Sequence, residues 1–166
     1  MLKTLVSALD RRFKFEVVSA HCDIPCKIYD PAIAQIATLS VIRFVDLIEE
    51  QLDKPDSVEK TNTLTRLIAE KEVHARKVKD EVGVIWGDYV KQPQLDEFPE
   101  LHELAHSIML AASACKQKVD RAAALDLLQK VNRFAEIFWA TKNVKTYLAT
   151  CPYPPAEKVV YPKLDG

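Results

Sequence analysis

The sequence predicts an all-α protein built as an antiparallel up-down four-helix bundle. Three observations carry that prediction. Apolar residues recur at three- and four-residue steps through four long segments. Only three glycines (Gly83, Gly87 and Gly166) occur in 166 residues, which starves β-hairpins of their preferred turn residue. No strand-like alternation lasts beyond a few residues, and prolines stand between the periodic segments, where a helix interior would not hold them.

The elements follow in order. Asp30-Pro31 opens the first helix, with an N-cap residue followed by proline at the first helical position. Ile33, Ile36, Ala37, Ser40, Phe44, Leu47 and Ile48 then keep the helical period to about Leu52, and Leu39, Val41 and Val45 widen the buried face. A second helix opens near Ser57 and carries Leu64, Leu67, Ile68, Ala75, Val78, Val82, Ile85 and Trp86 on one stripe. Its other face, with Glu70-Lys-Glu72 and Arg76-Lys-Val-Lys-Asp80, reads as solvated surface. A third helix runs from Phe98-Pro-Glu100 through Leu101, Leu104, Ile108 and Met109. The polar run Lys116-Gln-Lys-Val-Asp120 ends it, and Asp120 caps a fourth helix carrying Leu125, Leu128, Val131, Phe134, Ala135 and Phe138. The bundle thus occupies residues 32–150. Residues 151–166, rich in proline, are expected to form an extended arm, solvated or laid on a neighbouring subunit.

Composition removes several function classes. At 18.8 kDa, with 48% hydrophobic and 28% charged residues, the chain is one globular domain able to bury a core. The glycine count excludes G-x-G-x-x-G and G-x-x-x-x-G-K-[ST], so no dinucleotide or P-loop phosphate cradle exists. Twenty-three basic against 24 acidic residues give a net charge of −1 and no footprint for nucleic acid or anionic membrane. No apolar run approaches the length of a membrane span. At the N-terminus, Thr4-Leu-Val-Ser-Ala-Leu9 is too short for a secretory core and is broken by Asp10-Arg-Arg12 and Lys14, which points to a cytoplasmic protein. Two readings of residues 1–20 stand: a frayed helix of the domain, or a removable leader ending in Ser19-Ala20.

Two constellations compete as metal sites. His102-Glu-Leu-Ala-His106 is a literal H-E-x-x-H, in which two histidines on one helix face hold zinc and Glu103 is the general base. No further Gly or His completes that pattern, a third ligand would have to be a distant acid such as Glu136, and two surface histidines explain it as well. The second is His21-Cys-Asp-Ile-Pro-Cys26, at residues 21–31 the most distinctive stretch of the chain. Two thiols with an adjacent imidazole suit one soft or borderline metal, and no second knuckle exists to complete a four-ligand zinc site. Cleavage after Ala20 would make His21 the N-terminus. It would then offer its α-amine, its imidazole and, through a five-membered ring, the amide nitrogen of Cys22. With the thiolates of Cys22 and Cys26 this makes an N2S2 plane plus an axial imidazole, a donor set that favours Ni(II) and stabilises Ni(III). The other two cysteines read as a small core residue, Cys115, and an exposed thiol in the tail, Cys151.

On these residues the sequence resembles the nickel superoxide dismutase family. The likeness begins with His21-Cys-Asp-Ile-Pro-Cys26 and Tyr29-Asp-Pro31, and continues through Trp86-Gly-Asp-Tyr89, Phe98-Pro-Glu-Leu-His102 and Ile137-Phe-Trp-Ala-Thr-Lys142. It implies a four-helix bundle per subunit assembled as a homohexamer, with one nickel ion per subunit, made as a precursor whose leader a dedicated protease removes. The implied activity is the conversion of superoxide to oxygen and hydrogen peroxide. His21, Cys22 and Cys26 would hold the metal, while Asp23 and Tyr29 would shape the small-anion pocket, Tyr29 or its water relaying a proton. Tyr89 is a further candidate beside the site. Lys27 stands where the hook often has glycine, and would add positive charge that draws superoxide. The positions that orient the axial imidazole in some members are Ala37 and His74 here, which leaves His74 as the candidate support. The alternatives to this oxidoreductase are a zinc hydrolase using His102, Glu103 and His106, and a helical-bundle interaction protein without catalysis.

Overall fold

A computed structural model describes residues 27–164, so the leader and His21, Cys22, Asp23 and Cys26 lie outside the described residues. Four long helices form the body: α1 (Ala32–Leu52), α2 (Val58–Val84), α4 (Leu101–Gln117) and α5 (Arg121–Ala140), with a short α3 (Gln92–Glu97) between the second and third. Each long helix packs on the next in the chain and α5 closes back onto α1, which is the up-down bundle the periodicity predicts. Among the described residues no helix is long and apolar enough to cross a membrane.

The expected start signals work as hydrogen bonds. Ser57 accepts from the Lys60 amide at 3.0 Å and Asp120 from the Ala123 amide at 3.1 Å, each satisfying a first-turn N–H. Asp30 accepts from Ala32 N at 2.8 Å, and Pro31, already helical in φ and ψ, takes the first helical bond from Gln35 N at 3.1 Å. The core is drawn from one stripe of each helix: Ile42 and Val45, Val78 and Val82, Ile108, then Leu127, Val131 and Phe134. Ala34, Ala75, Ala105, Ala112 and Ala124 are fully buried among them, and such small side chains let helix backbones approach closely.

Three features depart from the sequence expectation. The second helix ends in a π turn (Ile85–Tyr89), closed by a bond from Val90 N to Ile85 O at 3.1 Å. Phe98 terminates α3 instead of opening the third long helix. Above all, the tail is not an extended arm, and the last part of the 32–150 span is not helical. Strands β1 (Thr146–Thr150) and β2 (Lys158–Pro162) form an antiparallel hairpin seated on α5. Its anchors are long-range: Gln35 Nε2 donates to Val160 O at 2.8 Å, and Asn132 Nδ2 to Lys158 O at 2.9 Å. Arg121 bridges Asp46 of α1 and Glu157 of the hairpin, both at 2.8 Å. Glycine is not needed for the turns, because Asn143 (φ 58°) and Ala156 (φ 59°) take the left-handed positions. The hairpin also buries Cys151, which is 2% exposed and donates to Tyr153 O, so the expectation of an exposed thiol there is wrong.

Lys71 of α2 is buried at 1% exposure. Its ammonium donates to the carbonyls of Cys115 and Lys116, the latter at 2.9 Å, and so caps the last turn of α4 from another helix. Burial pulls its pKa below the usual lysine value, although the charges of Glu72 and Cys115 oppose the shift. Lys71→Met is expected to lower stability by about 1–3 kcal/mol, since it leaves buried carbonyls without a donor. Chemical denaturation at neutral pH checks this; an unchanged midpoint would show the cap to be worthless.

Candidate metal centre

Residues 27–30 lead into the bundle without regular secondary structure. Lys27 has φ 60°, a left-handed conformation that a side chain tolerates at a cost of about 1–2 kcal/mol. Ile28 is exposed, Tyr29 is half-buried, and α1 begins three residues on. The Tyr29 ring lies 5.6 Å from that of Tyr89, tilted by 44°. Tyr89 is the last residue of the π turn, where one added residue shifts the direction of following side chains by about 100°. It points into α5, with its ring 5.2 Å from Phe138 and the Lys142 ammonium 4.2 Å from its centroid.

Hydrogen bonding fixes that ring. The Thr141 hydroxyl donates to Phe138 O at 2.6 Å, so its oxygen accepts from the Tyr89 hydroxyl at 2.7 Å. The proton of Tyr89 is therefore committed. In front of Tyr29 lies a cleft of about 310 Å³, with Ile28, Ile33, Val84 and Ile85 as apolar walls and Asp30 and Glu81 as its carboxylates. Sequence reasoning placed Tyr29 and Tyr89 together but gave no role to Lys142, Thr141 or Glu81. Lys142 closes the run Ile137-Phe-Trp-Ala-Thr-Lys142, whereas nothing in the sequence signals the π turn that brings Tyr89 to it.

The competing zinc motif does not assemble. His102, Glu103 and His106 are all exposed on α4. The Nδ1 lone pair of His102 accepts from the Trp86 indole N–H at 2.8 Å, with the rings edge to face. Glu136, the acid named as a distant third ligand, pairs with Arg133 at 3.2 Å. Among the described residues no group of three or more His, Cys, Asp or Glu could hold a metal ion. Cys115 is inert as well, since burial pushes its thiol up to about 11 despite the opposing charge of Lys71.

His74 and Ala37 stand apart from the cleft. Ala37 is buried in the core. His74 sits on α2 about 16 Å along the helix from Ile85, against Phe44, with its Nδ1 2.9 Å from Glu70 O. Its Nε2 is the ring atom left to meet another group.

The chain joins a four-helix bundle to a sequence run of His and Cys donors ahead of it, the combination of a candidate bundle metalloprotein. Comparison with known proteins narrows that class. The sequence profile of nickel-containing superoxide dismutase matches residues 16–142. A curated relative, "Superoxide dismutase [Ni]" of Streptomyces coelicolor, is 38% identical over 136 residues, spanning 81% of this chain and 98% of that protein. The native crystal structure of a nickel superoxide dismutase superposes with a TM-score of 0.66 at 36% identity, covering 74% of this chain and 99% of that one. A variant nickel superoxide dismutase, with the tyrosine at position 9 replaced by phenylalanine, superposes at 0.65 with 36% identity and the same coverage. The chain belongs to the nickel-containing superoxide dismutase family.

His106→Ala is expected to leave thermal stability and bound metal unchanged, as measured by melting and elemental analysis on the same sample. Loss of a stoichiometric metal ion from a normally folded variant would restore the zinc site.

Proposed function

We propose that the working protein begins at His21 and converts superoxide to oxygen and hydrogen peroxide, 2 O2⁻ + 2 H⁺ → O2 + H2O2, with one nickel ion per subunit. The observation that carries this reading is the donor run His21-Cys-Asp-Ile-Pro-Cys26, immediately ahead of the Lys27 turn and within the span matched to the family. The donor set suits the metal. The α-amine and imidazole of His21, the amide nitrogen of Cys22 and the thiolates of Cys22 and Cys26 would hold the ion with strong, partly anionic donors. Bound there, nickel supplies one-electron exchange between Ni(II) and Ni(III). The α-amine is available at neutral pH because it loses its proton far more readily than a lysine.

The described residues then do the rest. Lys27, next to Cys26 in sequence, and Lys142, whose ammonium stands 4.2 Å from the Tyr89 ring centroid, would offset the Asp30 and Glu81 carboxylates and raise the local concentration of a small anion. The apolar walls of Ile28, Ile33 and Val84 limit water in the cleft. Peroxide needs protons, and the Tyr29 hydroxyl or a water it orders is the relay, since Tyr29 lines the cleft. Tyr89 is a positioning residue that holds the Tyr29 ring. Counted from His21, Tyr29 is the ninth residue, the position of the tyrosine replaced in the variant relative. Asp23 belongs beside Tyr29 as a hook residue that shapes the anion pocket. A maturation protease that cuts after Ala20, a homohexamer and a cytoplasmic location complete the proposal. The charged residues Asp10, Arg11, Arg12 and Lys14 support that location by interrupting the apolar stretch.

N-terminal sequencing of the native protein, with nickel quantified on the same sample, tests the ligation. Chains beginning at His21 are expected to hold nickel and dismute superoxide, and chains keeping residues 1–20 to do neither. Cys22→Ser and Cys26→Ser should each lose the metal. Full activity in the uncut chain would remove the amine from the ligand set. Lys27→Gly separates two effects. Release of the left-handed strain should raise the melting temperature, while loss of the charge should slow the reaction at low salt and flatten its ionic-strength dependence. A rate unchanged at low salt would deny Lys27 any guiding role.

A further inference from the structure

The two edges of the C-terminal hairpin are treated differently. Cys151 N donates to Glu157 O and Lys163 N to Lys145 O, which fixes the alternation of the ladder. Residues 145, 147, 149 and 151 turn their backbone groups toward β2, and Thr146, Leu148 and Thr150 turn theirs outward. On β2 the outward groups belong to Lys158, Val160 and Pro162. That edge is mostly covered: Val160 N donates to Asn132 Oδ1 at 3.2 Å, Val160 O accepts from Gln35, Lys158 O accepts from Asn132, and Pro162 has no N–H to offer, so that only the Lys158 N–H and the Pro162 C=O are left over.

The β1 edge has no such cover. Among the described residues, no group bonds the outward N–H or C=O of Thr146, Leu148 or Thr150. The five residues Thr146-Tyr-Leu-Ala-Thr150 contain no charge, proline or glycine, the devices that usually blunt a free edge. Tyr147 is 52% exposed and Leu148 55%, so the open strand is also apolar.

We propose that this edge pairs with the same edge of a second copy of the chain, in antiparallel register about a two-fold axis at Leu148. The occupant follows from self-complementarity. In this register Leu148 lies opposite Leu148 of the second copy, Thr146 opposite Thr150, and Tyr147 opposite Ala149. All the outward backbone groups are then satisfied reciprocally, as an isologous contact requires. Threonine and leucine pairs suit such positions, and no like charges oppose each other, since Lys145 falls opposite Cys151. The result is a four-stranded sheet shared by two bundles. A five-residue edge is smaller than the about 1,200 Å² of a stable standard interface, so the pairing depends on concentration unless other contacts already hold the copies together. The contact lies beyond residue 142, outside the span matched to the family, and does not depend on the metal.

Directed disulfide formation tests the register. The probe is the full chain with Cys22→Ser and Cys26→Ser, so that the introduced thiol is the reactive one while Cys115 and Cys151 stay buried. Leu148→Cys is expected to give a covalent dimer under mild oxidation, because opposed residues of a hydrogen-bonded pair stand about 5.5 Å apart. Thr150→Cys is expected to give none, since its counterpart lies about 13 Å along the strand. As a measurement without cross-linking, Leu148→Lys should abolish the concentration-dependent rise in sedimentation mass at unchanged helical content. Equal cross-linking at both positions, cross-linking at neither, or an unaltered mass profile for the lysine variant would each overturn the proposal.

Discussion

The first turn of α1 is the fixed point on which the rest of the molecule depends. Asp30 caps it, Pro31 sets its φ, and the Gln35 carboxamide, 5% exposed, ties it to Asn132 of α5 and to Val160 of β2. A buried amide nitrogen that donates to two partners has little freedom to move, because breaking either bond leaves a polar group without water. Lys27 and Tyr29 hang directly from that turn. Residues 27–29 thus lead into a turn held by contacts with a helix and a strand far away in sequence.

The bundle was legible because burial on one stripe leaves a period in the sequence. Ser57 and Asp120 were legible as caps, since the chemistry that satisfies a first-turn amide is local. The hairpin was not. Its strands are short, its turns use Asn143 and Ala156 in place of glycine, and its anchors Gln35, Asn132 and Arg121 lie on helices where they read as ordinary polar residues. Reading Cys151 as exposed failed for the same reason, because the surface that covers it exists only once the hairpin docks. At the candidate site, Tyr29 and Tyr89 could be named from motifs, and the hook donors from ligand chemistry. The Tyr89–Thr141–Phe138 chain could not, as it requires the extra residue of the π turn to aim Tyr89 at α5.

The likeness to the nickel enzymes ends close to where the helices do. The matched span reaches residue 142, just after α5 ends at Ala140. The hairpin beyond it is joined to the shared scaffold by Arg121, which forms a fork between Asp46 and Glu157, and this lifts the guanidinium pKa further above its already high value. The added element thus uses the bundle as its foundation while contributing the β2 side of the Gln35 clamp in return.

Burial of the two remaining thiols has a chemical consequence for a protein whose proposed product is peroxide. Oxidation of cysteine proceeds through the thiolate, and a group with a pKa of about 11 is ionised only about once in 10⁴ molecules at neutral pH. Cys115 is thus shielded by acidity as well as by packing, and Cys151 is sealed under the hairpin. Among the four cysteines the vulnerable pair is Cys22 and Cys26, where coordination would demand the thiolate form. Oxidative ageing of the protein should therefore be read in its metal content long before it reaches its fold.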